Sequence, residues 1–221
     1  MPRFRDLSEQ NKRSMGVSLA LLVSANVLPL LAVWFQGWGA PELTLLYSIE
    51  VGFVLAFGLL RLAMVTRQGA GLGFHSLKLF YLPFFLLHFG GFFMLCLVTS
   101  IKLFGDPRIA ASDQIFALIR TPGSWLASAL LISHAFSFFW VFLREKGYSH
   151  TTISRRMLIP YLRTVPFMLL VLGSAFAIQK WCPQDYPAFA SLGLVIIKTV
   201  TDAITHFRSH LLSLRPATVS Q

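Results

Sequence analysis

Apolar residues fill six long stretches of the chain, and polar and charged residues gather in the short segments between them. Each stretch is long enough to cross about 30 Å of hydrocarbon as an α-helix that rises about 1.5 Å per residue. The first stretch follows a basic, polar leader without a small-residue cleavage site, so we interpret it as a retained helix. The pattern predicts six transmembrane helices, over Met15–Gln36, Leu43–Val65, Leu79–Leu103, Pro122–Leu143, Met157–Gln179 and Pro187–Phe207.

The connections between these stretches are short, so consecutive helices are expected to be antiparallel neighbours in one bundle. The predicted fold class is all-α, a polytopic membrane protein with a cytoplasmic leader over 1–14, a transmembrane domain over 15–207 and a cytoplasmic tail over 208–221. One connection carries apolar residues on one side of a helix and predicts a short interfacial helix near 108–120. Its apolar residues are Ile109, Ile115, Phe116, Leu118 and Ile119.

Composition excludes a fold that is surrounded by water. Of the 221 residues, 55% are hydrophobic and 13% are charged, and that charged share is about half of what is usual in a globular domain. So few ionised groups cannot coat a water-facing surface, whereas a bilayer accepts an apolar exterior. The two cysteines, Cys96 and Cys182, provide neither a disulfide framework nor a redox pair.

Basic residues predict the orientation of the chain. The 19 Lys and Arg residues give a formal net charge of +10 and are scattered at the ends of the predicted helices. They are not gathered along one face with stacking aromatic residues, which argues against nucleic acid as a partner. They dominate the leader, the connections over 61–78 and 144–156, and the tail, and such residues favour the cytoplasmic side. We therefore expect the cytoplasmic (inner) membrane, with both termini in the cytoplasm.

Ionisable side chains within the predicted spans are the candidates for function, because each costs about 2.5–3.5 kcal/mol at the centre of a bilayer. Counting along the helices puts His88, His134 and Asp202 at similar depths, with His206 one turn nearer to the cytoplasm. Asp202 and His206 are four residues apart and share one face of a helix. These four side chains are expected to meet at one level.

Imidazole and carboxylate ligands suit Zn²⁺ or another first-row divalent ion, so His88, His134, Asp202 and His206 are candidate metal ligands. We favour a hydrogen-bonded structural or proton-relay role for these residues over metal binding. A third interpretation is that these residues share no role and that each has its own hydrogen-bond partner. A b-type haem held by His88 and His134 is geometrically allowed, but we disfavour it because there is one such pair and no second haem level.

A second polar group is predicted from Glu50, about 10 Å below the outer surface in the second span, and Lys198, near the midplane of the sixth. The lysine stem is long enough for an ion pair, which would clamp the two helices or serve as an alternating partner in substrate or proton movement. We favour the clamp. Asn26 at mid-depth is expected to donate to Glu50 or to a carbonyl that Pro29 leaves free.

Four short polar motifs lie in the predicted spans. They are Asn-x-x-Pro (Asn26, Pro29), Tyr-x-x-Glu (Tyr47, Glu50), Ser-His followed by aromatic residues (Ser133, His134, Phe138) and Lys-x-x-x-Asp-x-x-x-His (Lys198, Asp202, His206). In these motifs, and over most of its length, the chain resembles a family of uncharacterised bacterial and archaeal multi-pass membrane proteins. The resemblance implies a six-span architecture and carries no activity.

The leading hypothesis is binding or transport of a small cation or proton along Glu50, Lys198, Asn26 and Tyr47 together with the histidines and Asp202. The alternatives are an intramembrane metal-dependent enzyme and a structural or accessory subunit of a membrane complex. The sequence contains neither the Gly-x-Ser-Gly motif of serine proteases nor the His-Glu-x-x-His motif of zinc proteases, and enzyme activity stays open. The expected partners are the lipid bilayer and either a membrane protein or a second copy of the chain.

Overall fold

The computed structural model describes residues 9–66, 72–120, 123–144, 153–181 and 187–213. Within these ranges the chain forms helices joined by turns and contains no strand, so the all-α prediction is confirmed for them. The helices are α1 (Glu9–Gln36), α2 (Ala40–Met64), α3 (Leu72–Phe104), α4 (Ala111–Arg120), α5 (Gly123–Phe136), α6 (Ile153–Trp181) and α7 (Pro187–Ser213). A π-helical segment, Ser137–Arg144, follows α5 without a break.

Five of the described helices are long and apolar enough to cross a membrane, as judged by length and composition. These stretches overlap the first five predicted spans, and they are Leu19–Gln36, Ala40–Met64, Phe74–Leu103, Gly123–Arg144 and Arg156–Ser174. The sixth predicted span falls on α7, which has 27 residues. The crossing of a bilayer by α7 stays a prediction.

The turn between α1 and α2 shows how local sequence ends one helix and starts the next. Gly37 has a φ of +68°, a left-handed conformation that glycine adopts without a steric penalty. Pro41 lies in the first turn of α2, where a missing backbone N–H costs nothing. The Glu42 carboxylate accepts a hydrogen bond from the Gly39 backbone N–H at 2.8 Å and places negative charge at the positive end of the helix dipole.

Helix α2 lies among the other long helices and contacts α3, α5, α6 and α7, while α1 contacts α5 and α7. Two glycines of α2 permit close packing against α3. A Cβ atom at Gly52 would lie 3.2 Å from the Phe93 ring, and one at Gly58 would lie 3.0 Å from the Phe85 ring. Small residues at helix contacts allow this close approach.

Large apolar side chains also cover the outside of the described part. Trp34 on α1, Leu87 on α3 and Leu169 on α6 are examples, with 79%, 76% and 65% of their surface exposed. Exposed apolar surface of this extent is uncommon on a protein that is surrounded by water. The distribution is that of a helical membrane protein.

The predicted helix near 108–120 is present as α4, although its position at a membrane interface stays a prediction.

The segment between α3 and α4 contains a compact polar loop. The Arg108 guanidinium donates to both carboxylate oxygens of Asp106, at 3.0 and 2.9 Å, and the Arg108 backbone N–H donates as well. These hydrogen bonds hold the pKa of Asp106 below its ordinary value.

Candidate functional site

Four helices carry buried polar side chains to one place. We call this group the polar cluster, and its members are Asn26 from α1, Glu50 from α2, His134 from α5, and Lys198 and Asp202 from α7. Each member has at most 6% of its surface exposed. Ionisable groups that are buried to this degree require partners, because burial removes the stabilisation that water gives to a charge.

Lys198 lies at the centre of the polar cluster. Its Nζ is 2.8 Å from Oε2 and 3.1 Å from Oε1 of Glu50, and it also donates to Oδ2 of Asp202. Lys198 and Asp202 are four residues apart on α7 and therefore share a helical face. One ammonium group thus pairs with two carboxylates.

His134 and Asn26 complete the cluster, and each contacts a carboxylate oxygen that Lys198 also contacts. His134 Nε2 lies 3.2 Å from Oε1 of Glu50, and the imidazole stacks on Phe57 with the ring centres 6.3 Å apart. Asn26 Nδ2 donates to Oδ2 of Asp202 at 3.0 Å. The polar cluster therefore joins α1, α2, α5 and α7 in one hydrogen-bonded network.

Two aromatic rings face the ammonium group of Lys198. Its Nζ lies 4.6 Å from the centre of the Phe167 ring and 5.5 Å from the centre of the Tyr47 ring. Both distances are within the range in which a cation is attracted by the negative face of a ring. The two rings also pack edge to face with their centres 5.8 Å apart. The two rings and the two carboxylates thus surround the ammonium group of Lys198.

A cavity of about 10 Å³ adjoins the cluster. Polar and aromatic residues line most of it, namely Tyr47, Glu50, Thr164, Phe167, Lys198 and Asp202. The Tyr47 hydroxyl and Thr164 Oγ1 are buried and have no hydrogen-bond partner among the residues that the structure describes. Buried hydroxyl groups usually have a partner, so these two atoms mark the cavity as a place for a polar ligand.

Within the described members of the polar cluster, two carboxylates, those of Glu50 and Asp202, are paired with one ammonium group, that of Lys198. His134 lies 3.2 Å from Glu50 and adds a group that becomes positive when it is protonated. Because a net charge is costly in a buried site, the charges of these groups depend on one another.

Four members of the polar cluster lie at similar distances from one end of their helices. Asn26 is ten residues from the end of α1, and Glu50 is ten residues from the start of α2. His134 and Lys198 are each eleven residues from the start of α5 and α7, and Asp202 lies one turn beyond Lys198. At about 1.5 Å per residue, the first four positions are about 15–17 Å from the corresponding helix ends.

The structure places His88 apart from the polar cluster. Its side chain is exposed on α3, its Nδ1 lies 2.9 Å from the Tyr161 hydroxyl, and its ring stacks on Phe84. Counting residues gives the depth of a side chain but not the direction in which it points, and His88 points outward. His88 and His134 therefore make separate contacts, one on the surface and one in the interior.

His206 belongs to α7, but its side chain lies outside what the structure describes. Among the described residues, no group of three or more His, Cys, Asp or Glu side chains is arranged to hold a metal ion. His134 and Asp202 are instead connected through Glu50 and Lys198. A metal site that includes His206 stays a prediction.

Thr164 and Phe167 on α6 line the cavity beside the polar cluster and are absent from the residues that sequence reasoning selected. Neither is ionisable, and a single threonine or phenylalanine in an apolar helix carries no pattern that marks it. The signal nearest to them is Pro166, which interrupts the backbone hydrogen bonds of α6 between the two residues.

The helices and the buried cluster place the chain among all-helical proteins with the apolar helices of a membrane protein. The chain belongs to the DUF6498 family, a family of unknown function, whose model matches residues 8–218. The chain matches no curated protein and no solved structure. The matched range includes every member of the polar cluster.

Proposed function

We propose that this is an integral protein of the cytoplasmic membrane, with six spans and both termini in the cytoplasm, whose polar cluster binds and releases one small cation during transport. The favoured cation is the proton. The basic connections and tail support the orientation, because Lys and Arg near the ends of spans favour the cytoplasmic side. The 27-residue length of α7 supports the sixth span.

The observation that carries this proposal is the close grouping of two carboxylates, one ammonium group and one imidazole in the polar cluster. Two carboxylates share one ammonium group, and His134 touches one of these carboxylates at 3.2 Å. Imidazole takes up and releases a proton near neutral pH, so His134 is the member best suited to exchange a proton. Protonation of His134 adds one positive charge beside Glu50, and deprotonation removes it.

The size of the cavity favours the proton over a hydrated metal ion. A volume of about 10 Å³ has room for one water-sized particle and not for an ion with its water shell. The position of four cluster members about 15–17 Å from the ends of their helices supports transport, since a site at this depth in a bilayer can be reached from either face after small helix movements.

Proton flux into liposomes that contain the purified protein tests this function. A pH-sensitive dye inside the liposomes reports the flux when a potassium gradient with valinomycin sets the membrane potential. We expect Glu50→Gln to lower the flux about tenfold or more, because the buried carboxylate is lost. The matched control is Asp113→Asn, which changes an exposed carboxylate on α4 and should keep the flux of the original protein.

Two results would reject the proposal. The first is a flux in the original protein equal to that of protein-free liposomes. The second is an unchanged flux in a folded Glu50→Gln variant, which would assign the cluster to helix clamping alone. Exchange of sodium for choline, with the potassium gradient unchanged, separates the proton from sodium, because a proton carrier keeps its flux in choline and a sodium carrier loses it.

A further inference from the structure

We infer that the cavity beside Lys198 binds one water molecule, and that this water passes protons to and from the carboxylates of the polar cluster. The water site stands on the geometry of the cavity alone. Its role as a proton carrier rests on the proposed function. The ligand is thus a small neutral molecule that both donates and accepts hydrogen bonds.

The hydroxyl of Thr164 supplies the first observation. Serine and threonine within a helix commonly donate to the backbone carbonyl four residues earlier. Two other buried or half-buried hydroxyls of this protein do so at 2.8 Å, namely Ser48 to Thr44 and Thr199 to Val195. Thr164 is 3% exposed and has no partner among the described residues. Its hydroxyl is therefore available to a ligand in the cavity that it lines.

The Tyr47 hydroxyl is the second such group. Tyr47 is fully buried, lines the same cavity, and its hydroxyl has no partner among the residues described. Tyr47 and Thr164 come from different helices, α2 and α6. Two buried hydroxyls of this kind on one small cavity are explained together by one shared ligand.

The size and lining of the cavity fit water. A volume of about 10 Å³ is close to the least that holds one water molecule, and a buried water needs two to four polar partners. The residues that line the cavity offer such groups, namely the two hydroxyls and the carboxylates of Glu50 and Asp202, beside the apolar side chains of Val51 and Val54. A water molecule donates to a carboxylate and accepts from a hydroxyl, so one water suits these four polar groups.

Lys198 argues against a second cation in the cavity. Its ammonium group lines the same space, and two positive charges a few ångströms apart repel strongly in a buried site. A neutral water avoids this repulsion. As a proton carrier, the water accepts a proton on its oxygen while another of its protons passes to a carboxylate oxygen, so the water itself is unchanged.

Radiolytic labelling of the full-length protein in ¹⁸O-water detects a buried water without any transport assay. Hydroxyl radicals that form from a bound water oxidise the side chains next to it. We expect ¹⁸O incorporation at Tyr47 and Phe167, although these side chains are 0% and 4% exposed. Phe89 is the dry control, because it is equally buried and does not line the cavity.

Variants of Thr164 test whether the ¹⁸O label depends on the hydroxyl that lines the cavity. Thr164→Val keeps the shape and removes the hydroxyl, and it should reduce labelling of Tyr47 and Phe167 several-fold. Thr164→Ser keeps a hydroxyl and should restore the label. If Thr164→Val fails to fold, Phe167 labelling in Tyr47→Phe gives the same comparison. Labelling of Tyr47 and Phe167 that equals the Phe89 background, or that is unchanged by both substitutions, would overturn the water site.

Two further measurements distinguish this inference from the proposed function. Loss of the label in sodium or lithium compared with choline would overturn the water site, because it identifies a cation as the occupant. A label without proton flux would leave the water site in place and reject the transport proposal with the carrier role. Proton flux without a label would reject the water and leave the proposed function. The carrier role predicts a several-fold lower flux in Thr164→Val and recovery in Thr164→Ser.

Discussion

Lys198 and Glu50 are 148 positions apart in the chain and form a buried ion pair, with Nζ 2.8 Å from Oε2. The pair joins α7 to α2, and the same ammonium group also holds Asp202. A lysine that is paired with two carboxylates stabilises the fold only while it remains in contact with them. Its removal leaves two negative charges close together without their counter-charge.

The first prediction concerns this lysine. Lys198→Met should lower the free energy of unfolding by about 3–5 kcal/mol, because one partner of a buried ion pair is lost. Chemical unfolding of the detergent-solubilised protein measures the change. Lys102→Met replaces an exposed lysine on α3 and should shift stability by less than about 0.5 kcal/mol.

A double variant checks the cause of that loss. Glu50→Gln with Lys198→Met should be less unstable than the sum of the two single changes, since the residues interact directly. Additive losses would show that the ion pair does not couple α2 to α7. Equal stability of Lys198→Met and the original protein would contradict the buried pair itself.

The second prediction uses the close contact of α2 with α3. Gly58→Ala places a Cβ atom 3.0 Å from the Phe85 ring, and this side chain is 1% exposed and has little room to move. We expect a loss of about 1–3 kcal/mol in stability from overpacking. Gly91→Ala is the control, because a Cβ atom there meets nothing within 4 Å. Equal midpoints for the two variants in thermal unfolding would argue against tight packing at Gly58.

The third prediction concerns the hydroxyl contact between the same two helices. Ser48 Oγ and Ser100 Oγ are 2.8 Å apart and both are buried. Ser100→Ala should cost about 0.6 kcal/mol, the average for such contacts between membrane helices, because Ser48 keeps its bond to the Thr44 carbonyl. A double-mutant cycle with Ser48→Ala measures the coupling. A coupling of zero would mean that the contact contributes nothing.

The fourth prediction compares two histidines in the flux assay. His134→Gln should lower proton flux about tenfold or more, because the imidazole that touches Glu50 is lost. His88→Gln changes a histidine on the outer surface of α3 and should leave the flux as it is. The reverse order of effects would place the proton-binding site on α3 and outside the polar cluster.

The fifth prediction is a pH dependence outside the helices that span the membrane. Because Arg108 lowers the pKa of Asp106 in the folded protein, the stabilisation from this contact is present above the unfolded pKa and disappears as pH falls through the folded pKa. Arg108→Gln should raise the pKa of Asp106 toward its ordinary value. Carbonyl ¹³C resonances measure it, and Arg120→Gln should leave the titration of Asp106 unchanged.

Helix positions could be predicted from the sequence, whereas the directions of side chains could not. The apolar stretches predicted the first five long helices, because a helix that crosses a bilayer needs a long run of residues with few charges. The direction around each axis is hidden when every face of a helix is apolar, and this explains the outward position of His88.

The hydrogen-bond partners within the polar cluster could not be predicted, because the directions of the side chains were not known. Asn26 was expected to donate to Glu50 or to a free carbonyl, and the structure pairs it with Asp202, because α1 packs against α7. Thr164 belongs to the site only because α6 packs against α2. The π-helical segment after His134 also has no mark in the sequence, since its residues would suit an α-helix equally well.

The proposed depth of the polar cluster, about halfway across the membrane, predicts that the cluster is sensitive to voltage. In the proposed orientation, a single charge that reaches the cluster from either face crosses about half of the electric field. This corresponds to about 1.1 kcal/mol per 100 mV, half of the value for a full crossing. The apparent proton affinity measured from one side should therefore change about sixfold for each 100 mV.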